Sequence, residues 1–134
     1  MRFKENELPK HIRDQIKNPG KKQPQILAVT NLNCLDAARD MNKAERRFYE
    51  FLKAQSDVVH IDFNAWRCKI AEGAWYKPDF FVIKDTGHVE IYEVKGFWRS
   101  RDRVRTKTAA SSYPYFSWYG AMWVKGQWQF EKFK

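Results

Sequence analysis

The chain has 134 residues, 43% of them hydrophobic, and a formal net charge of +9. That is about one domain's length, enough to bury a core without disulfide staples, and the basic balance favours a polyanionic partner, most commonly nucleic acid. No apolar run reaches the roughly 20 residues of a membrane span, and the two cysteines, Cys34 and Cys68, stand in no zinc-ligand spacing.

The first ten residues lack the apolar stretch of a signal peptide, and sparse cysteine suits a reducing cytosol. The charge is uneven. Residues 1–40 carry 8 basic and 5 acidic side chains, residues 41–95 carry 9 and 9, and residues 96–134 carry 8 and 2. The excess therefore sits at the two ends.

In chain order, residues 1–40 read as a basic arm or accessory element with weak periodicity. Residues 8–17 can form one short helix, stopped by Asn18-Pro19-Gly20. Residues 21–24 read as a basic linker. Residues 41–134 form the second unit. Asn42, with Glu45 three residues on, resembles a capping box. Ala44, Phe48, Phe51 and Leu52 then recur on one helical face, which Tyr49 extends. This predicts a helix over residues 43–55.

The period then changes. Residues 58–70 are rich in β-branched and aromatic side chains and predict a strand. Glu72-Gly73 marks a turn. Residues 75–83 predict a second strand, interrupted by Pro78. Asp85-Thr86-Gly87 is a turn, and residues 89–97 predict a third strand. Ser100 can cap a helix over residues 101–112, ended by Pro114. Residues 116–124 and 128–133 predict two final strands, joined at Lys125-Gly126-Gln127. The fold class expected is α/β: a small mixed sheet flanked by helices, in the order αβββαβ with an extra C-terminal strand.

Two short stretches carry chemistry: Lys77-Pro78-Asp79 and Glu93-Val94-Lys95. If the second and third strands form a hairpin centred on Thr86, Ile83 faces Val89, Phe81 faces Ile91 and Asp79 faces Glu93. All six side chains then share one face, because strand side chains alternate. Like charges so opposed destabilise, so a cation between them is the better account. Hard oxygen ligands suit Mg²⁺, with Mn²⁺ as its substitute. Lys95, two residues beyond Glu93, points to the same face. The register also sets Lys77 against Lys95, and Pro78 is expected to end the ladder before that pair forms.

At these residues the chain resembles the PD-(D/E)xK nuclease superfamily, which includes restriction endonucleases and phage junction-resolving endonucleases. The likeness spans about residues 42–125 and rests on Pro78-Asp79, Glu93-Val94-Lys95, the Gly96 that follows, and the element order. It implies a restriction-endonuclease-like core and a Mg²⁺-dependent endonuclease cutting DNA, including branched or recombination intermediates. It also implies a metal held by Asp79, Glu93 and the Val94 carbonyl, with Lys95 stabilising negative charge at the nucleophile or transition state. Many members add a glutamate from the first helix: Glu45 is the natural candidate and Glu50 its rival. A phage or bacterial host cytosol is the setting implied, and a homodimer is one arrangement open to such an enzyme. The competing readings are a nucleic-acid-binding module without catalysis and a subunit of a recombination or transposition complex.

Beyond the acids, Arg99, Arg101, Arg103, Arg105 and Lys107 make a basic helix suited to gripping backbone phosphates. Helical spacing puts Arg99, Arg103 and Lys107 on one face, with Arg101 and Arg105 roughly opposite. A purely solvated face is the competing reading. Trp98 is the best-placed aromatic to stack on a base, although most of the aromatics belong in a core. His11, His60 and His88 share no metal-ligand spacing, and no P-loop or HExxH is present.

Overall fold

The computed structural model describes residues 40–134. The expected arm and its short helix lie outside the described residues. The first described helix, α1 (Lys43–Lys53), begins at a capping box built on asparagine. Asn42 Oδ1 accepts the Glu45 N–H at 2.9 Å, and Glu45 Oε2 accepts the Asn42 N–H at 2.8 Å. These bonds satisfy two donors that a helix start otherwise leaves open. The apolar stripe predicted from spacing is the one that packs: Phe48 and Leu52 are buried, with Ala44, Tyr49 and Phe51 beside them.

The next two strands differ from expectation. Residues 58–70 are not one strand but two, β1 (Val58–Phe63) and β2 (Cys68–Ala71), in separate sheets. The break is at Asn64, which has φ 53°, a left-handed conformation that asparagine tolerates better than most residues. Residues 75–83 likewise divide around Pro78 into β3 (Ala74–Tyr76) and β4 (Phe80–Lys84). Proline has no N–H to give a ladder. β2 and β3 pair only with each other, so they form a hairpin inserted between two strands of the main sheet.

The third expected strand is β5 (Val89–Val94), which ends just before Lys95. Helix α2 (Ser100–Ser112) follows. Ser100 is its first residue rather than its cap. Arg99 takes the cap position, extended at φ −85° and ψ 150°, with no side-chain cap. The last two strands, β6 (Ser117–Val124) and β7 (Gln127–Phe133), turn through Lys125 and Gly126. Both turn residues have positive φ, 49° and 82°, the pattern that matches strand twist in a two-residue hairpin.

The five-stranded sheet has the order β1-β4-β5-β6-β7. β5 and β6 run parallel and the other neighbours antiparallel. A parallel pair needs a crossover, which α2 supplies. The molecule is thus mixed α/β: one mixed sheet with a helix on each face. Phe48 and Leu52 of α1 meet Phe80, Val82, Tyr92 and Val94 on one side. Ala109 and Ala110 of α2 share a cluster with Ile91, Trp118 and Phe133 on the other, where Cys68 and Tyr76 of the small hairpin join them. Among the described residues, no helix is long and apolar enough to cross a membrane.

Candidate functional site

The β4–β5 pairing sets the site. Ile83 pairs with Val89, Phe81 with Ile91 and Phe80 with Tyr92. That is the register centred on Thr86, and the ladder ends at Phe80, before Lys77 could meet Lys95. Asp79 stands one residue before β4 and is fixed at two points. Its backbone carbonyl accepts the Asn64 N–H at 2.9 Å, and its carboxylate Oδ2 accepts the Val94 N–H at 2.7 Å. The ends of β1 and β5 therefore pin this acid from either side.

Glu93 is 7% exposed and, among the described residues, is the one buried charged side chain. Its Oε1 lies 2.7 Å from Lys95 Nζ, and its Oε2 accepts the Tyr76 hydroxyl at 2.9 Å. The Tyr76 oxygen is also 3.1 Å from Thr106 Oγ1, and that hydroxyl is 3.0 Å from the Asp102 carbonyl. The inserted hairpin and α2 thus jointly hold one glutamate. Tyr76 and Thr106 were not singled out from sequence. The one available signal was that Tyr76 directly precedes Lys77-Pro78-Asp79.

Electrostatics ties the group together. Burial, and then the charge of Glu93, push the Asp79 carboxyl up to about 7, with Glu45 adding to the rise. Burial alone would lower the Lys95 ammonium, but the hydrogen bond and charge of Glu93 outweigh it and the net shift is upward. Lys95 is therefore a cation at neutral pH. Burial and the nearby Glu93 charge also raise the Tyr76 hydroxyl, which stays a donor. The charge of Glu93 acting on buried Asp79, with Lys95 beside Glu93, makes a site in which a divalent cation would relieve repulsion.

The donor set fits such a cation. Among the described residues, no three His, Cys, Asp or Glu side chains gather as a ready-made metal cluster. Mg²⁺ does not require one: it commonly takes one or two carboxylates and completes its shell with waters and substrate phosphate. Asp79 and Glu93 could supply those two. Glu45 is near enough for its charge to act on Asp79, although its Oε2 is engaged in the α1 cap. Glu50 is turned to Lys53, at 2.8 Å, on the exposed side of the same helix.

A cleft of about 210 Å³ opens on the Glu93–Lys95 side of the pair, lined also by Trp75, Tyr76, Lys77, Asp102 and Arg105. Of the basic helix, Arg105 reaches this cleft, and its guanidinium donates to the Trp75 carbonyl at 3.1 Å. Arg103 faces elsewhere: Glu131 of β7 holds it, and it lies 5.6 Å from the centre of the Trp98 ring. Arg99, Arg101 and Lys107 are exposed. Trp98 is half-buried and packs on Phe133. A Cβ built on Gly120 would come 2.4 Å from Trp98 Cζ2, so the indole lies flush against the bare backbone of β6. His60 pairs with Asp62 at 2.9 Å, and His88 meets Ser117 at 2.8 Å. The structure thus brings Asp79, Glu93 and Lys95 together with Glu45 nearby, adds Tyr76 and Arg105, and leaves Arg103 and Trp98 in packing roles. Compared with protein-family models, with curated proteins and with solved structures, the chain matches none.

Proposed function

We propose that the protein is a Mg²⁺-dependent endonuclease of the PD-(D/E)xK kind, with a restriction-endonuclease-like core that hydrolyses phosphodiester bonds of DNA. One observation carries the reading. Asp79 and Glu93 sit at the ends of two strands paired in matching register, and Lys95 Nζ is 2.7 Å from Glu93 Oε1. The order of α1, three main-sheet strands, α2 and β6 is compatible with that core, with β2–β3 as an insertion and β7 as an addition.

Asp79, Glu93 and the Val94 carbonyl would hold the metal. When bound, Mg²⁺ polarises the scissile phosphate and acidifies a water. The protein's own groups do the rest. Lys95, kept charged by Glu93, donates a hydrogen bond toward the negative charge that develops on the nucleophile and phosphate. It acts as a cation, not as a proton acceptor. Tyr76 fixes the Glu93 carboxylate so that its oxygens do not rotate away from the site. Arg105 and Lys77 add positive charge along the cleft, where a phosphate backbone would lie.

The test is incubation with labelled single-stranded, duplex and branched DNA in Mg²⁺, in Ca²⁺ and in chelator. Cleavage is expected in Mg²⁺ and absent in chelator. Ca²⁺, which accepts looser oxygen geometry, should support binding without comparable cleavage. Undiminished cleavage in chelator would refute the metal assignment.

A further inference from the structure

The β2–β3 hairpin is the part of the molecule that the two-acid site does not explain. It belongs to no main-sheet ladder, yet it is tied firmly to α2. Arg105 donates to the Trp75 carbonyl at 3.1 Å, and the Tyr113 hydroxyl donates to the Lys69 carbonyl at 3.0 Å. Tyr76 plugs into the buried Glu93–Thr106 network. The neighbouring side chain is Trp75. It is 49% exposed and lines the same cleft as Glu93 and Lys95.

Leaving half an indole in water forfeits burial that a large aromatic usually obtains, and Trp75 has one polar neighbour suited to a ligand. The Arg67 guanidinium lies over its ring, 5.0 Å from the centre. An aromatic face beside cations, in a cleft lined also by Lys77, Lys95 and Arg105, fits a nucleotide: the ring stacks on a base, and the cations meet its phosphates. A base inside an intact duplex has no free face to offer. The cleft would therefore take a strand whose base is unpaired.

We propose that Trp75, with Arg67, is a base-stacking platform, and that the substrate class is DNA with an unpaired nucleotide beside the cleaved bond: a single strand, a flap or a fork. This rests on the nuclease reading of the same cleft and narrows it to a substrate.

The test is equilibrium binding in chelator, where no cleavage occurs, by fluorescence anisotropy of a labelled single strand, a forked duplex and a blunt duplex of equal length. The parent should bind the single strand and the fork more tightly than the blunt duplex. Trp75→Ala should lose roughly 5- to 150-fold in affinity for the single strand and fork, the range for removing one stacked base, and little for the duplex. Trp75→Phe, which keeps an aromatic face, should retain most of the affinity. Arg67→Ala, an exposed change outside the core, serves as the second variant and should lose a smaller part with the same preference. Equal binding of all three DNAs by the parent, or equal loss on all three in Trp75→Ala, would overturn the platform. Because binding is read without metal, a parent that shows the preference but never cleaves in Mg²⁺ would refute the nuclease reading and leave the platform standing.

Discussion

Asp79 sits where two demands meet. Its backbone and carboxylate are both pinned, by Asn64 and Val94, while burial and Glu93 raise its carboxyl to about 7 from an ordinary 3.8. The folded chain then holds this proton over a pH window in which the unfolded chain has released it. Stability from this group is present below about pH 4 and is lost as pH rises toward 7. Without metal, the protein should unfold at a higher temperature at pH 5.5 than at pH 8, and Asp79→Asn should shrink that difference. Asp79→Asn should also stabilise the metal-free protein at pH 8, by about 1–2 kcal/mol after allowing for solvent screening, since one pKa unit is about 1.4 kcal/mol. Denaturant titrations of both proteins in chelator measure it, and a variant less stable than the parent at pH 8 would contradict the repulsion between the acids. Tyr76→Phe removes the donor to Glu93 Oε2 and leaves a buried carboxylate oxygen unpaired, which costs about 1–3 kcal/mol. The same change should weaken Mg²⁺ affinity, because Glu93 is then free to turn.

At the level of elements, the site depends on where strands stop. The β4–β5 register was legible in the sequence, because Asp85-Thr86-Gly87 fixes the turn and Phe81, Ile83, Val89 and Ile91 alternate in phase with it. The α1 cap and stripe were legible for the same kind of local reason. The inserted hairpin was not. The interruption at Pro78 and the turn at Glu72-Gly73 were expected, but residues 58–70 are continuous in composition and divide only because Asn64 adopts a left-handed turn, so nothing local shows that β2 and β3 leave the main sheet to pair with each other. Tyr76 and Thr106 were illegible because their partners lie 17 and 30 residues from Tyr76 in the chain. The β6 strand offers a direct check on packing. Gly120→Ala would drive a methyl group into Trp98 and Phe133 and should destabilise the fold by about 1–3 kcal/mol, as overpacking does. Thermal unfolding of the variant measures it. Restoration by Trp98→Leu in the same chain would identify the indole as the clashing group.

Across the whole molecule, the basic helix that the sequence suggested for phosphate contacts divides between two surroundings. Arg103 is spent on Glu131, whereas Arg105 enters the cleft. Arg105→Ala should therefore reduce the slope of log affinity against log salt by about 0.7 to 0.9, the value of one phosphate contact, and Arg103→Ala should reduce it less. Titrations at several salt concentrations separate the two. If Asp79 and Glu93 hold a metal that cuts DNA, as we propose, single-turnover cleavage at saturating DNA and Mg²⁺ separates the parent from Asp79→Asn. Asparagine keeps an oxygen to accept the Val94 N–H but lacks the charge that a metal would need. The parent should cleave, Asp79→Asn should cleave at least about 100-fold more slowly, and its DNA affinity should stay within about threefold of the parent's. Equal cleavage rates in the two proteins would contradict the proposal.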